Sequence, residues 1–172
     1  MTRGCFIGRF QPFHAGHRRV IEEIEGDVAE LVVAIGSAGT SHSVENPFTG
    51  GERVTMVAKA LEDLDLVVYP VPVEDVDRHA VWAGHVESMT PAFDAVYSNN
   101  PLVRRLFTEA GREVRTVEMH DRDRLEGTRI REAMIAGEDW EHLVPDPVVS
   151  VIDEVDGVAR LRQVSGTDAS GE

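Results

Sequence analysis

The sequence of 172 residues contains one cysteine and one lysine, and it has no long hydrophobic run. With Cys5 alone, the chain can form neither an internal disulfide nor a metal site built from several thiolates. No segment approaches the roughly 18 consecutive apolar residues that a membrane-spanning helix requires. The first residues also lack the basic stretch followed by a long apolar stretch that is typical of a secretory signal. We therefore expect a cytoplasmic protein without a membrane partner, in which Cys5 is a small core residue.

Positive charge is also scarce, because 31 aspartates and glutamates outnumber 17 lysines and arginines and leave a formal net charge of −14. This balance argues against a nucleic-acid partner, since neutralising phosphates supplies most of that affinity. Lys59 is the only lysine, so nearly all the cations are arginines. We interpret the composition as halophilic, that is, adapted to high salt, where screening weakens repulsion within the acidic surface.

The halophilic interpretation predicts that the protein loses its native structure when it is dialysed into low salt. The physical reason is that unscreened repulsion among the surplus carboxylates destabilises the compact state. Circular dichroism at falling salt concentration measures the effect. A spectrum that does not change with salt would contradict the hypothesis.

Apolar runs alternate with helical patterns along the chain. The predicted strands lie over residues 5–10, 30–36, 66–73, 94–98 and 113–118, and the predicted helices lie over 14–25, around 54–61, 80–89, 101–111, 127–136 and 146–156. The alternation predicts an α/β fold, a Rossmann-like three-layer sandwich whose central sheet is parallel. We expect a single domain over residues 1–162 and a disordered tail over 163–172.

The stretch GRFQPFHAGH, residues 8–17, lies at the predicted turn from the first strand into the first helix. A helix N-terminus offers unpaired amides and a favourable dipole to an anion, and residues 1–21 carry four arginines and no acid. His14 and His17 are three residues apart, so their rings can converge on one group. Gly16 permits close approach to the backbone, and Arg9 can donate a forked pair of hydrogen bonds to phosphate. The pattern predicts a phosphate-binding site.

Two other interpretations of the histidine pair stay open. The histidines could be surface residues near a capping turn, or they could share a metal ion such as zinc. The metal interpretation is disfavoured, because no carboxylate lies nearby in sequence and the other five histidines are scattered. We therefore expect no protein-bound metal at this turn.

The H-x-G-H pattern after a first strand resembles the nucleotidyltransferase superfamily, which carries a second motif of the form S/T-x-x-R near the C-terminus. In this chain the second motif matches EGTRIREAM, residues 126–134. Five stretches together resemble the archaeal type of nicotinamide mononucleotide adenylyltransferase. In chain order they are GRFQPFHAGH, AIGSAGTSHSVENPFTGGER, VYSNNPLVRRLF, EGTRIR and DWEHLVP. The resemblance runs from about Arg3 to Arg162.

The resemblance implies an enzyme of NAD biosynthesis that transfers AMP from ATP to nicotinamide mononucleotide and releases pyrophosphate. It also implies Mg²⁺ bound with ATP, and a homo-oligomer, hexameric in the family. Three residues are implied to be catalytic: His14 and His17 at the ATP phosphates, and Arg131 at the departing pyrophosphate. The other implied ATP-binding residues are Arg9, Gly16, Thr128, Arg129, Gly36, Ser37, Ser98 and Asn99. Trp82 is implied to stack on the nicotinamide ring, and Asp75 to contact ribose or nicotinamide.

Some of these residues have simpler interpretations. Trp82 can pack in the core, Asp75 can be a solvated surface acid, and Gly36 and Ser37 can serve a plain turn. Arg53 can face phosphate or solvent. The family pattern is also broken at several places. Glu126 and Gly127 replace two serines that are frequent in the superfamily, Asn99 stands where relatives often have glycine, and Glu45 and His79 also differ from the pattern.

Other functions are open as well. A related nucleotidyltransferase could use another acceptor, such as pantetheine phosphate or flavin mononucleotide, and a nucleotide-sensing module could bind without turnover. A dehydrogenase is disfavoured, because no G-x-G-x-x-G follows the first strand.

Overall fold

The computed structural model of the chain describes residues 2–118 and 126–170. The strands are β1 (Arg3–Gly8), β2 (Glu30–Ile35), β3 (Val67–Pro72), β4 (Ala95–Tyr97) and β5 (Glu113–Arg115). The helices are α1 (Ala15–Glu25), α2 (Gly50–Leu61), α3 (Trp82–Met89), α4 (Pro101–Glu109), α5 (Gly127–Ala136), α6 (Asp146–Glu154) and α7 (Gly157–Ser170). Within the described residues, none of these helices has the length and apolar character needed to cross a bilayer.

The five strands form one parallel sheet in the order β3-β2-β1-β4-β5. The chain first winds from β1 through β2 to β3, and then returns to add β4 on the other side of β1. The winding direction therefore reverses between β1 and β4, and the carboxyl end of β1 lies at the point where such sheets bind ligands. The predicted α/β fold with a parallel central sheet is confirmed.

Alternate residues of a buried strand point to opposite sides of the sheet, so the sheet has two apolar faces. Helices cover both of them. Phe6 and Val33 belong to the larger core, together with buried residues of α1, α2, α5, α6 and α7. Cys5 belongs to the smaller core with Val86 of α3 and Phe107 of α4. The prediction that Cys5 is a core residue is confirmed, and burial raises the pKa of its thiol.

The last helix, α7, extends into the segment for which the sequence predicts disorder. Leu161 is fully buried, and Val164, one turn later, packs against the larger core. Val158 also packs there, and these three contacts give α7 an apolar stripe too sparse to stand out in the sequence. The boundary predicted at residue 162 therefore falls inside a helix, and the single domain over 1–162 stays a prediction.

Candidate active site

The histidine pair lies at the first turn of α1, directly after β1. His14 is the N-cap residue: its Nδ1 accepts a hydrogen bond from the Gly16 amide at 3.1 Å. His17 reciprocates, because its Nδ1 accepts from the His14 amide at 3.1 Å. The two rings stack with centroids 3.6 Å apart. The pair therefore forms a capping box made of imidazoles, which fixes both rings side by side.

The capping bonds also determine which ring nitrogen carries the proton. Since each Nδ1 accepts a hydrogen bond, a neutral ring must be protonated at Nε2. Burial, with a further contribution from the Arg131 charge, lowers the pKa of His14 to about 4. Burial and the neighbouring His14 hold the pKa of His17 well below its usual value. At neutral pH both rings are uncharged, and each can offer an Nε2–H to a ligand.

Aromatic side chains hold the His17 ring in place. Phe10 contacts it edge-on with centroids 4.7 Å apart, and Phe13 lies at 5.3 Å. Both phenylalanines are buried, with 2% and 0% of their surface exposed. The ring of His17 is therefore fixed by packing as well as by its hydrogen bond.

Arg131 joins the second motif to the first. Its Nη1 donates to the carbonyl of Gln11 at 2.8 Å, and its Nη2 donates to Oγ1 of Thr128 at 3.2 Å. The side chain is only 7% exposed, whereas Arg129 on the same first turns of α5 is exposed. A Cβ at Gly127 would lie 2.9 Å from Nη1 of Arg131. A serine at this position would therefore require the end of the Arg131 side chain to shift.

A cleft of about 650 Å³ opens at the carboxyl ends of β1 and β2. Five predicted site residues line it: Arg9, Gly36, Ser37, Asp75 and Trp82. The Ser37 hydroxyl donates to the Asp75 carboxylate at 3.1 Å. Trp82 also packs edge-on against Phe107 at 5.7 Å, so its indole lies between the smaller core and the cleft. The structure thus brings together the residues that the sequence assigns to nicotinamide and those of the β2 turn.

Ser98 and Asn99 lie outside that cleft lining, and their side chains bind backbone. The Ser98 hydroxyl accepts from the Asn100 amide at 3.1 Å. The Asn99 side chain donates to the Val117 carbonyl and accepts from the Val117 amide at 2.9 Å. These bonds connect the end of β4 to the segment after β5, and the ATP contacts of both residues stay predictions. Asn100 caps α4 through its side-chain oxygen.

Two residues organise the site in ways that the sequence does not predict. Gln11, 4% exposed, holds the Phe48 backbone at both ends of its amide, with distances of 3.0 and 2.9 Å. Arg53 faces neither phosphate nor solvent, so both interpretations of it are wrong: it is fully buried. A signal was present, because Arg53 shares the helical face of Met56 and Val57, which are core residues.

The fold is similar to that of solved adenylyltransferases. A bifunctional NMN adenylyltransferase/ADP ribose pyrophosphatase from Francisella tularensis, solved with AMP and a manganese ion, matches with a TM-score of 0.78 at 19% identity. The match covers 98% of this chain and 53% of that one, so this chain spans about half the length of the bifunctional protein. NadR, solved with NAD and AMP-PNP, matches with a TM-score of 0.57 at 18% identity over 78% of this chain and 43% of its own. These likenesses concern the fold.

Sequence comparison identifies the family. The cytidylyltransferase-like family model matches residues 5–133. The nicotinamide-nucleotide adenylyltransferase of Halobacterium salinarum is 62% identical over 99% of this chain and 97% of its own length. The enzymes of the same name from Halorubrum lacusprofundi and Methanoculleus marisnigri are 61% and 55% identical, over 98% of this chain and 96% and 100% of their own lengths. The chain therefore belongs to the nicotinamide-nucleotide adenylyltransferase family, within the cytidylyltransferase-like proteins.

Proposed function

We propose that the chain transfers AMP from ATP to nicotinamide mononucleotide, with NAD and pyrophosphate as products. One observation carries the proposal: two neutral imidazoles with Nε2–H donors stand at the N-terminus of α1, where Arg131 of α5 binds the same turn. Amides and dipoles of two helix N-termini therefore meet where a triphosphate would bind. The cleft with Trp82 lies at the same end of the sheet and is suited to a flat pyridine ring.

The chemistry needs positioning more than acid–base catalysis. A 5′-phosphate oxygen of nicotinamide mononucleotide attacks the α-phosphorus of ATP in line, a new P–O bond forms, and the bond to pyrophosphate breaks. A phosphate monoester is already a competent nucleophile near neutral pH, so a strong general base is unnecessary. His14 and His17 donate hydrogen bonds to phosphoryl oxygens, His17 to those at the α-phosphorus. Arg131, Thr128, Arg129 and the first turn of α5 hold the departing pyrophosphate, and Arg9 and Gly16 complete the phosphate site.

Mg²⁺ enters this proposal as part of the ATP substrate. Over residues 2–118 and 126–170, no group of three His, Cys, Asp or Glu side chains is placed to hold an ion. The oxygens of the triphosphate, with water, are suitable ligands for Mg²⁺ and would carry it into the site. The ion neutralises charge on the phosphates, and the protein's own donors position them.

We also infer a cytoplasmic homo-oligomer, hexameric as the resemblance implies. One edge of the sheet supports such an assembly. β3 forms that edge, and its first residue, Val67, is 50% exposed.

Product analysis tests the proposed reaction. ATP, Mg²⁺ and nicotinamide mononucleotide are incubated with the protein in high salt, and NAD and pyrophosphate are expected in equal amounts. Pantetheine phosphate and flavin mononucleotide are offered in parallel reactions. Turnover with one of these acceptors alone would favour the related transferases, and nucleotide binding without pyrophosphate release would favour a sensing module.

The charges in the cleft predict a preference for nicotinamide over nicotinate mononucleotide. Asp75 and Asp77 both line the cleft, the arginine in its lining, Arg9, is assigned to the phosphates, and nicotinate carries a carboxylate where nicotinamide has a neutral amide. Like charges about 6 Å apart at an effective dielectric of about 20–40 repel by roughly 1–3 kcal/mol, which corresponds to roughly a ten- to hundredfold preference in kcat/KM. Competition between the two mononucleotides for ATP measures the preference.

The double variant Asp75→Asn, Asp77→Asn removes both charges and should narrow this preference. Asp139→Asn changes an exposed acid that does not line the cleft, and it should leave the preference as it is. Equal use of both mononucleotides by the unmodified enzyme would contradict the electrostatic argument.

A further inference from the structure

Arg53 of α2 is a fully buried cation whose guanidinium donates hydrogen bonds to backbone carbonyls. Its Nη1 donates to the carbonyls of Arg9 and Gly36, both at 2.8 Å, and its Nη2 donates to the carbonyl of Ser37 at 3.0 Å. Its Nε donates to the carbonyl of Thr49, the N-cap of its own helix, at 3.1 Å. Arg9 directly follows β1, and Gly36 and Ser37 directly follow β2. One guanidinium therefore holds the two turns that border the cleft.

The guanidinium of Arg53 is hydrogen-bonded to backbone carbonyls, and the carboxylates of Glu52 and Asp75 act on its charge only from a longer distance. Among the described residues, no carboxylate lies within ion-pair distance of its guanidinium. Burial, and then the nearby Arg9 charge, lowers the pKa of Arg53 to about 10, so the side chain still carries its charge at neutral pH. An apolar side chain would fill this volume without the cost of burying a charge. The arginine therefore does something that packing alone does not require.

The backbone beside these carbonyls adopts conformations that ordinary residues avoid. Phe10 has φ of 54° and Ser37 has φ of 50°, both in the left-handed region. Phe10 immediately follows the Arg9 carbonyl. The φ angle of Ser37 lies between the Gly36 and Ser37 carbonyls, both of which accept hydrogen bonds from Arg53. Such conformations persist only where the surrounding structure enforces them. The bonds from Arg53 hold the peptide groups next to both residues, while ring packing also holds Phe10 and the Asp75 carboxylate also holds Ser37.

The bonds from Arg53 also set the direction of the neighbouring backbone N–H groups. In a trans peptide the C=O and N–H groups point in opposite directions. A carbonyl of Arg9 or Gly36 directed at Arg53 therefore turns the N–H of Phe10 or Ser37 away from it. Arg9, Gly36 and Ser37 line the cleft, whereas Arg53 is not among its lining residues.

We propose that Arg53 is a positioning residue for adenylyl transfer: it fixes the turns after β1 and β2, so that Arg9 and the amides of Phe10 and Ser37 face the nucleotides. This inference rests on the proposed function, because it concerns the geometry of that reaction. Arg53 itself touches no substrate. It acts through the two turns.

The test compares Arg53→Lys and Arg53→Met with Arg18→Met in high salt. Lysine keeps the charge but cannot reach four carbonyls in a planar fork. Arg18 is a matched control, because it also donates to a backbone carbonyl, that of Ala60 at 2.6 Å, but at the far side of α1. Since small misplacements of reacting groups are costly, kcat per folded molecule should fall about 10²-fold in Arg53→Lys and further in Arg53→Met. KM for ATP should change less than kcat, and Arg18→Met should stay near wild-type activity.

Amide hydrogen exchange gives a readout independent of turnover. The Gly36 amide donates to the Gly8 carbonyl at 2.8 Å, and the Ala38 amide donates to the Val73 carbonyl at 3.1 Å. Exchange should accelerate at these two amides in Arg53→Lys and not in Arg18→Met. If Arg53→Met does not fold, Arg53→Lys decides the question.

A folded Arg53→Lys protein with wild-type kcat, or with unchanged exchange at both amides, would overturn the inference. Failure of the proposed function looks different. In that case the wild-type protein releases no pyrophosphate, while the exchange at Gly36 and Ala38 still reports whether Arg53 holds the turns.

Discussion

Replacing His17 with alanine is expected to lower kcat by about 10²–10³, which corresponds to about 3–4 kcal/mol of transition-state stabilisation. The neutral imidazole offers an Nε2–H to the α-phosphoryl oxygens, whose charge changes as the bond to pyrophosphate breaks. Because Phe10 and Phe13 pack on the ring, the donor is already in place before the reaction and no reorganisation is needed. Pyrophosphate release at saturating ATP and nicotinamide mononucleotide measures the change. KM for ATP should change less than kcat.

The control for this prediction separates the two roles of His17, which donates to the substrate and also caps α1. Its Nδ1 caps α1 by accepting from the His14 amide, so alanine also removes a structural bond. Glutamine is a favoured residue at this third helical position and can restore the cap through its Oε1, while its N–H donors lie on a flexible chain and not at the fixed position of the imidazole Nε2–H. His17→Gln should therefore keep the wild-type melting temperature and still lose activity. His142→Ala, at an exposed histidine outside the site, should remain active. Full activity in a folded His17→Gln protein would contradict the assignment.

The two sequence interpretations of the histidines turn out to be compatible. One treats them as residues of a capping turn and the other as phosphate donors. The structure shows capping through Nδ1 of both rings, and this same bond leaves Nε2 as the proton-bearing atom. A structural bond and a donor for a ligand thus use opposite sides of one ring. The spacing of His14 and His17 predicts that they share a face, but it does not show which nitrogen is engaged.

The parts of the site that the sequence predicts are local, and the parts it misses depend on contacts between distant segments. The histidine pair lies in one helical turn, and Trp82 is assigned from the family resemblance. By contrast, Arg131 reaches the Gln11 carbonyl across 120 residues, and Arg53 reaches the Arg9 carbonyl across 44. Periodicity cannot reveal such bonds, because they exist only after the sheet is assembled.

The strand and helix pattern is predicted well for a related reason. A parallel sheet buried on both faces needs continuous apolar strands, and each one is visible in the sequence. The last helix was missed because its core contacts, Val158, Leu161 and Val164, are few. Where burial is continuous the sequence carries the signal, and where it depends on a few side chains it does not.

Acidification should destabilise the protein through His14. The ordinary pKa of this histidine is 6.5, and burial together with Arg131 lowers it to about 4 in the folded state. Between these values the unfolded chain binds more protons than the folded one, so the free energy of unfolding falls as the pH falls. From pH 7.5 to pH 5 the loss attributable to His14 is about 2 kcal/mol, and it approaches about 3 kcal/mol near pH 4. The lowered pKa of His17 acts in the same direction.

Denaturant unfolding of His14→Asn and His14→Ala at several pH values in high salt isolates this contribution. Asparagine is a favoured N-cap residue, so it keeps the bond to the Gly16 amide, whereas alanine loses it at a cost of about 1 kcal/mol. The two variants should therefore differ in stability at pH 7.5 and yet share a shallower pH dependence than the wild type. Some dependence should remain, because His17 is still present. If His14→Asn loses stability as steeply as the wild type between pH 7.5 and pH 5, then His14 is not the group that resists protonation, and the neutral donor pair loses its electrostatic basis.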